Sequence, residues 1–283
     1  IMIATDDFGG FRPTYGLELL GTEPFSLDDP KLISAMKREL GNVVHVPTAG
    51  PDSALFACHD FPVKLADAEV VAQIVLFRTE ATIDPSSKES TERLAQSWRC
   101  PDAAAILNKC KHQILITDMF SSTLSHTVRM NLMTRALKAV LPVLPVDLIS
   151  WTPTQQYLVP KQFLDASNEP AQDPTIGFLN VRFFTLSDHP GDMIMDTLGL
   201  TAYGLTDLQI HYRELDPSKV AACLAAIGAY LFEKGDVIKP GETVQGLTPE
   251  DKWLCRHEDS LLSPKRMVLD INPGHGFAAG DRD

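Results

Sequence analysis

The chain has 283 residues, of which 44% are hydrophobic and 22% charged, a composition that fits one large or two closely packed globular domains and excludes disorder, collagen-like repeats and coiled coil. Lysine and arginine total 25 against 37 aspartates and glutamates, giving a net charge of −12, so neither nucleic acid nor an anionic membrane is an expected partner. The longest apolar stretch, residues 220–232, covers 13 positions, short of the roughly 20 that span a bilayer.

In chain order, residues 15–20 read as a strand. Asp28 or Asp29 caps a helix that begins at Pro30, because proline at the first helical position gives up no hydrogen bond. Leu32, Ile33, Met36 and Leu40 recur there at helical spacing, and Gly41 stops it. Strands are expected at 43–46, 54–58, 63–67 and 72–77, the last apolar enough for a central position. Two helical patterns follow at 88–98 and 102–109. Residues 112–117 form a short buried strand, and the hydroxyls of 121–125 cap a long helix that Pro142 ends. A strand at 148–151 and a helical turn at 160–164 complete this half.

Residues 165–174 (DASNEPAQDP) combine two prolines, Asn, Ser and three acids, which denies them both periodicity and burial. They are read as a linker between an N-terminal subdomain, 1–165, and a C-terminal subdomain, 175–283. Beyond it, 181–186 and 193–197 read as paired strands around the turn 187–191, and 207–212 as another strand. Asp216 and Pro217 start a buried helix through Phe232, stopped by Gly235, and 266–271 form the last strand. The expected class is α+β, mixed sheets with packed helices, because the strands and helices do not alternate strictly.

The acidity is uneven. Residues 1–150 carry 14 basic and 18 acidic groups, whereas residues 151–283 carry 11 and 19. Five cysteines, odd in number and widely spaced, suit a reducing compartment better than a disulfide framework. The segment IMIATDDFGG has neither the basic region nor the apolar run of a secretory signal. The expected location is the cytoplasm.

The search for chemistry returns no strong motif. Cys255, His257, Glu258 and Asp259 form the most enzyme-like cluster, yet a structural zinc site needs four ligands and no second close Cys/His pair is present. The plainer reading of WLCRHEDSL is a polar turn. His59 beside Asp60 and His126 near Asp118 could each act as base and orienter, with an ordinary surface or core histidine as the simpler account. Neither GxSxG, GxGxxG nor GxxxxGK[ST] occurs. Gly199 and Gly204, and the tail 272–276, read as structural turns. No catalytic residue, metal or cofactor is expected.

Several strings nevertheless have a familiar texture: KHQILITDMF, PVDLISWTPTQQYLVP, NVRFF, DTLGLTAYGLTDLQIHY and GDVIKPGETVQG. Over roughly residues 100–270 the chain resembles a bacterial family of unknown function, domain of unknown function 4261, whose members look like companions of interbacterial toxins. The resemblance implies an immunity protein that binds and blocks a cognate type VI secretion effector, a nuclease toxin being the expected partner. A basic substrate groove on such a toxin would be met by acids, and Asp188, Asp192, Asp196 and Asp207, around turns of the acidic half, are the candidate partner-binding residues. The alternatives are a metal-dependent or Cys/His hydrolase using Cys255 and His257, and an adaptor or chaperone that loads a secreted effector.

Overall fold

The computed structural model describes residues 14–48, 50–65, 68–79, 83–169 and 175–280. The chain divides between Gly177 and Phe178 into two compact units, each built on one sheet. The class is α+β, as the pattern of elements implies. The linker expected at 165–174 starts too early: a helix, Pro160–Asn168, runs through its first four positions, and 170–174 lie outside the described residues.

The first unit holds β1 (Gly16–Gly21), α1 (Pro30–Leu40), β2 (Val43–Val46), β3 (Ser53–Lys64), β4 (Glu69–Arg78), α2 (Lys88–Ala95), α3 (Ala103–Leu107), β5 (His112–Met119), α4 (His126–Val140), β6 (Leu148–Trp151), β7 (Gln156–Leu158) and α5 (Pro160–Asn168). Its seven strands lie in the order β2-β3-β4-β5-β1-β6-β7, each neighbouring pair antiparallel. The two strands expected at 54–58 and 63–67 are one strand, β3, with an irregularity in register between Cys58 and Pro62. Its cause is local. Asp60 turns back to accept the Asn42 backbone N–H at 3.0 Å, which holds the turn after α1 against the strand. The helix starts follow side-chain caps: Asp29 accepts from the Lys31 N–H, Ser87 from Ser90 and Ser125 from Val128, each satisfying a donor that the first helical turn leaves open.

Apolar residues on β1 alternate with Glu18, and both faces of the strand are used. Leu20 packs in a cluster with Ala103, Leu107, Leu148 and Tyr157. On the same face Glu18 and Ser150, registered opposite each other, bind the buried Arg93, whose guanidinium also lies over the Tyr157 ring. Trp151 is fully buried, donating to the Tyr15 hydroxyl at 2.7 Å and packing on Phe163. Gly177 passes so close that a Cβ there would sit 2.3 Å from the indole, and its φ is +79°. Only glycine meets both conditions.

The second unit holds β8 (Asn180–Thr185), β9 (Met193–Leu198), β10 (Asp207–Tyr212), α6 (Pro217–Lys234), β11 (Thr243–Gln245), β12 (Lys252–Asp259) and β13 (Met267–Asn272). Strand order is β11-β12-β13-β10-β9-β8, with β10 and β13 parallel and the other pairs antiparallel. Asp216 caps α6 ahead of Pro217, and Gly235 ends it. The helix packs on the sheet through Val220, Leu224, Gly228, Leu231 and Phe232. At Gly228 the approach is tight, a Cβ there meeting Leu179 at 2.6 Å. Most of WLCRHEDSL, read above as a polar turn, lies in strand β12, which pairs with β13 over residues 254–259 and with β11 over residues 252–254. Among the described residues no helix is long and apolar enough to cross a membrane.

In the first unit Asp118 is fully buried and takes Arg129 Nε on one oxygen at 2.6 Å, and Arg129 Nη2 and the Tyr15 N–H on the other. Breaking a buried pair by removing one partner leaves an uncompensated charge. Arg129→Met is therefore expected to cost about 3–5 kcal/mol in urea unfolding, and Lys31→Ala on the exposed face of α1 less than about 0.5 kcal/mol.

Candidate partner-binding surface

The register of the second sheet lines up five residues on one level. Arg182 on β8 faces Asp196 on β9, Asp196 faces Gln209 on β10, Gln209 faces Asp270 on β13, and Asp270 faces Arg256 on β12. Side chains at one level of adjacent strands share a face of the sheet, so one face carries a polar row while the alternate residues Leu208, Ile210, Leu269, Ile271 and Cys255 form the apolar face, each buried.

Two arginines meet in the interior of this row. Asp196 receives Arg182 Nε at 2.9 Å and Nη2 at 2.6 Å, and Arg266 Nη2 at 2.9 Å. Arg266 Nε reaches Asp207 at 3.2 Å, and that carboxylate also accepts from Thr197 Oγ1, Thr201 Oγ1 and the Leu200 N–H. Burial pushes the Asp207 carboxyl up, opposed by the Arg266 charge and the two hydroxyls. The segment from Ser260 to Lys265 is strapped over the row: Arg182 donates to the Ser263 carbonyl, Arg266 to the Pro264 carbonyl, and the Leu261 N–H to Gln209 Oε1.

The four acids singled out in the sequence therefore do not make one surface. Asp196 and Asp207 are interior and saturated by arginine, threonine and backbone donors, so neither is presented to a partner. Asp192 is also buried, bound to Arg213 Nε at 3.2 Å. Asp188 alone is exposed, in the turn between β8 and β9. Sequence reasoning missed Arg182 and Arg266 because their pairing depends on strand register, which no local pattern sets.

The other candidates are placed as follows. Cys255 is buried on β12, and burial pushes its thiol up to about 11, so it is neutral at pH 7 and a poor ligand or nucleophile. His257, two residues on, is exposed. Glu258 projects from the opposite face of the strand, by the two-residue period. Asp60 turns to Asn42 and Asp118 to Arg129, so neither orients the histidine beside it. Among the described residues no group of three His, Cys, Asp or Glu is arranged to hold a metal ion. Gly199 and Gly204 take φ of +128° and +78° and shape the turn between β9 and β10, and Gly274 and Gly276 likewise have positive φ.

A feature without a sequence signature lies on the same unit. The outer side of α6 and the chain from Val237 to Leu247 bound an open groove of about 970 Å³. Ala222, Cys223, Ala226, Ile227 and Tyr230 form its helical wall, at the three- and four-residue spacing of one helix face. Val237, Ile238, Val244 and Leu247 form the other. Tyr230 and Val237 are 47% and 42% exposed. The Gln245 carbonyl lies 3.7 Å from Cys223 Sγ, which brings β11 against this side of the helix.

Residues 196–272 match the family model described as domain of unknown function (DUF4261). The match opens on β9 at Asp196, ends on β13, and contains the groove. Comparison with curated proteins and with solved structures finds no match to the chain.

Two outcomes are expected from this geometry. Asp196→Ala, which strips two buried guanidinium groups of their acceptor, costs about 3–5 kcal/mol in chemical unfolding, and Asp188→Ala less than about 0.5 kcal/mol. In the folded protein a thiol reagent labels Cys223 first, since Cys58, Cys100, Cys110 and Cys255 are buried. Mass spectrometry of the labelled peptides checks that order.

Proposed function

We propose that this chain is a stoichiometric binding protein, an immunity factor that occupies the active site of an antibacterial type VI secretion effector, with a nuclease toxin as its partner. One observation carries the reading. Among the described residues four arginines, Arg93, Arg129, Arg182 and Arg266, and five aspartates, Asp118, Asp192, Asp196, Asp207 and Asp270, are buried. The buried charges balance to within one, so the core does not consume the excess of acid that gives the chain its charge of −12.

An acidic protein with a balanced interior attracts a basic partner over a distance of a Debye length, about 8 Å at physiological ionic strength, and the attraction raises the rate of encounter more than the final affinity. A nuclease must present cationic side chains to the phosphates of its substrate, so an acidic inhibitor competes for the same groups. The sequence resemblance to companions of interbacterial toxins favours the same assignment, whereas the family-model match over 196–272 is to a domain of unknown function and supports the family resemblance of that segment alone. Asp188, on the exposed β8–β9 turn, is the acid of the original four that this reading keeps at the contact.

The test is co-expression with the product of the adjacent gene. A complex that purifies intact and abolishes killing is expected, with an association rate that falls steeply between low and high salt. Absence of both a complex and protection would overturn the proposal.

A further inference from the structure

We propose that the outer sides of α1 and α4 form a second docking surface, a basic one, whose occupant is an acidic segment of a partner protein. The inference rests on the placement of charge in the first unit and not on the immunity reading.

Charge in this chain is segregated. The 11 residues of α1 and the 15 of α4 hold Lys31, Lys37, Arg38, Arg129, Arg135 and Lys138 against a single acid, Glu39, in a chain whose 37 acids outnumber its 25 bases. Arg129 is bound inside to Asp118, and the other five lie on the outer side. On α1, Leu32, Ala35, Met36 and Leu40 are buried, and Lys31, Lys37 and Arg38 are exposed on the opposite side of the helix. On α4 the buried stripe runs through Leu132, Met133, Ala136 and Leu137, with Arg135 and Lys138 half-buried at its outer edge. The two helices pack against each other, and Arg135 Nε joins them by donating to the Glu39 carbonyl. Among the described residues Lys31, Lys37 and Lys138 have no ion-pair partner. Glu39 is held by Arg38 at 3.1 Å, and Asp60, the other acid at the end of α1, by the Asn42 N–H.

Helix dipoles account for part of this pattern. They favour cations in a last turn, which suits Lys37, Arg38 and Lys138, and acids in a first turn, where neither helix has one and α1 has Lys31. Lys31 and Arg135 do not follow from the dipole, and with them the two helices present five cations, the charge complement of an anionic partner. The size of the surface decides between classes of anion. At 1.5 Å per residue the helices are about 16 and 22 Å long, and the rest of the chain carries 36 acids against 19 bases. A nucleic-acid duplex is a stiff rod that would run past the helices and over that acidic remainder. A short acidic segment meets the helices alone, with the remainder screened beyond a Debye length of about 8 Å.

Fluorescence anisotropy of a short labelled oligoglutamate, titrated with the full chain at physiological ionic strength, tests this. Saturable binding is expected. K37E/R38E/K138E should weaken it about tenfold or more. K219E/K239E/K252E, which reverses three exposed lysines of the second unit, changes the net charge by the same amount and should leave binding within about twofold. Circular dichroism of each variant separates loss of binding from loss of fold, and K31E/R38E, confined to the outer side of α1, repeats the test if the first triple variant unfolds. A chain that does not bind the peptide overturns the proposal. So does an equal loss in the two triple variants, because binding would then report overall charge and not this surface. A DNA duplex that binds more tightly than the peptide overturns it as well, since the surface would then belong to nucleic acid.

Discussion

Both units of this protein are organised around carboxylates that have been taken out of water and must be compensated. In the first, Asp118 holds α4 to β5 through Arg129 and fixes the start of β1 through the Tyr15 N–H. In the second, Asp196 joins β8 to the chain entering β13, because Arg182 and Arg266 both end on it. A buried ion pair of this kind adds little net stability relative to a well-packed apolar substitute, since desolvation offsets much of the attraction. Its effect is on specificity. A one-residue slip of β8 on β9 would place Arg182 on the apolar face and leave Asp196 half-neutralised, an arrangement far costlier than the loss of a few apolar contacts.

This constraint also decides which acids can act on a partner. A buried carboxylate bound to two guanidinium groups has no outward field to speak of, so the acid excess is presented by other residues. What remains outside is carried by exposed residues such as Asp188 and Glu242, which sit on turns and edges rather than in the body of the sheet. The interior and the exterior thus use the same residue type for opposite purposes, arginine pairing within and long-range attraction without.

Much of the fold was legible from local pattern. The cap and stop signals around α1 and α6, Asp29 with Pro30 and Gly41, Asp216 with Pro217 and Gly235, mark those helices to within a residue or two, because capping is a contact between neighbours in sequence. Strands β2, β5 and β6 carry apolar runs, and β10 alternates polar and apolar residues, so all four were equally plain. β12 was not, because KWLCRHED places only Trp253 and Cys255 inward and leaves a charged outer face that reads as a turn. β11 is three residues long and has no pattern to detect. The site suffered more than the fold, since the partners of Asp196 and Asp207 lie 14 and 59 residues away, and the groove is made by the outer face of a helix whose composition suggests complete burial.

The parallel alignment of β10 with β13 has a consequence in time rather than in space. Gln209 and Asp270 meet across a separation of 61 residues, with α6, β11 and β12 between them, so a large loop must close before the centre of the sheet exists. The hairpin of β8 and β9, by contrast, joins neighbours. Closure of the second sheet therefore waits on β13, and a nascent chain still lacking residues 267–272 would leave one edge of β10 unpaired beside β9.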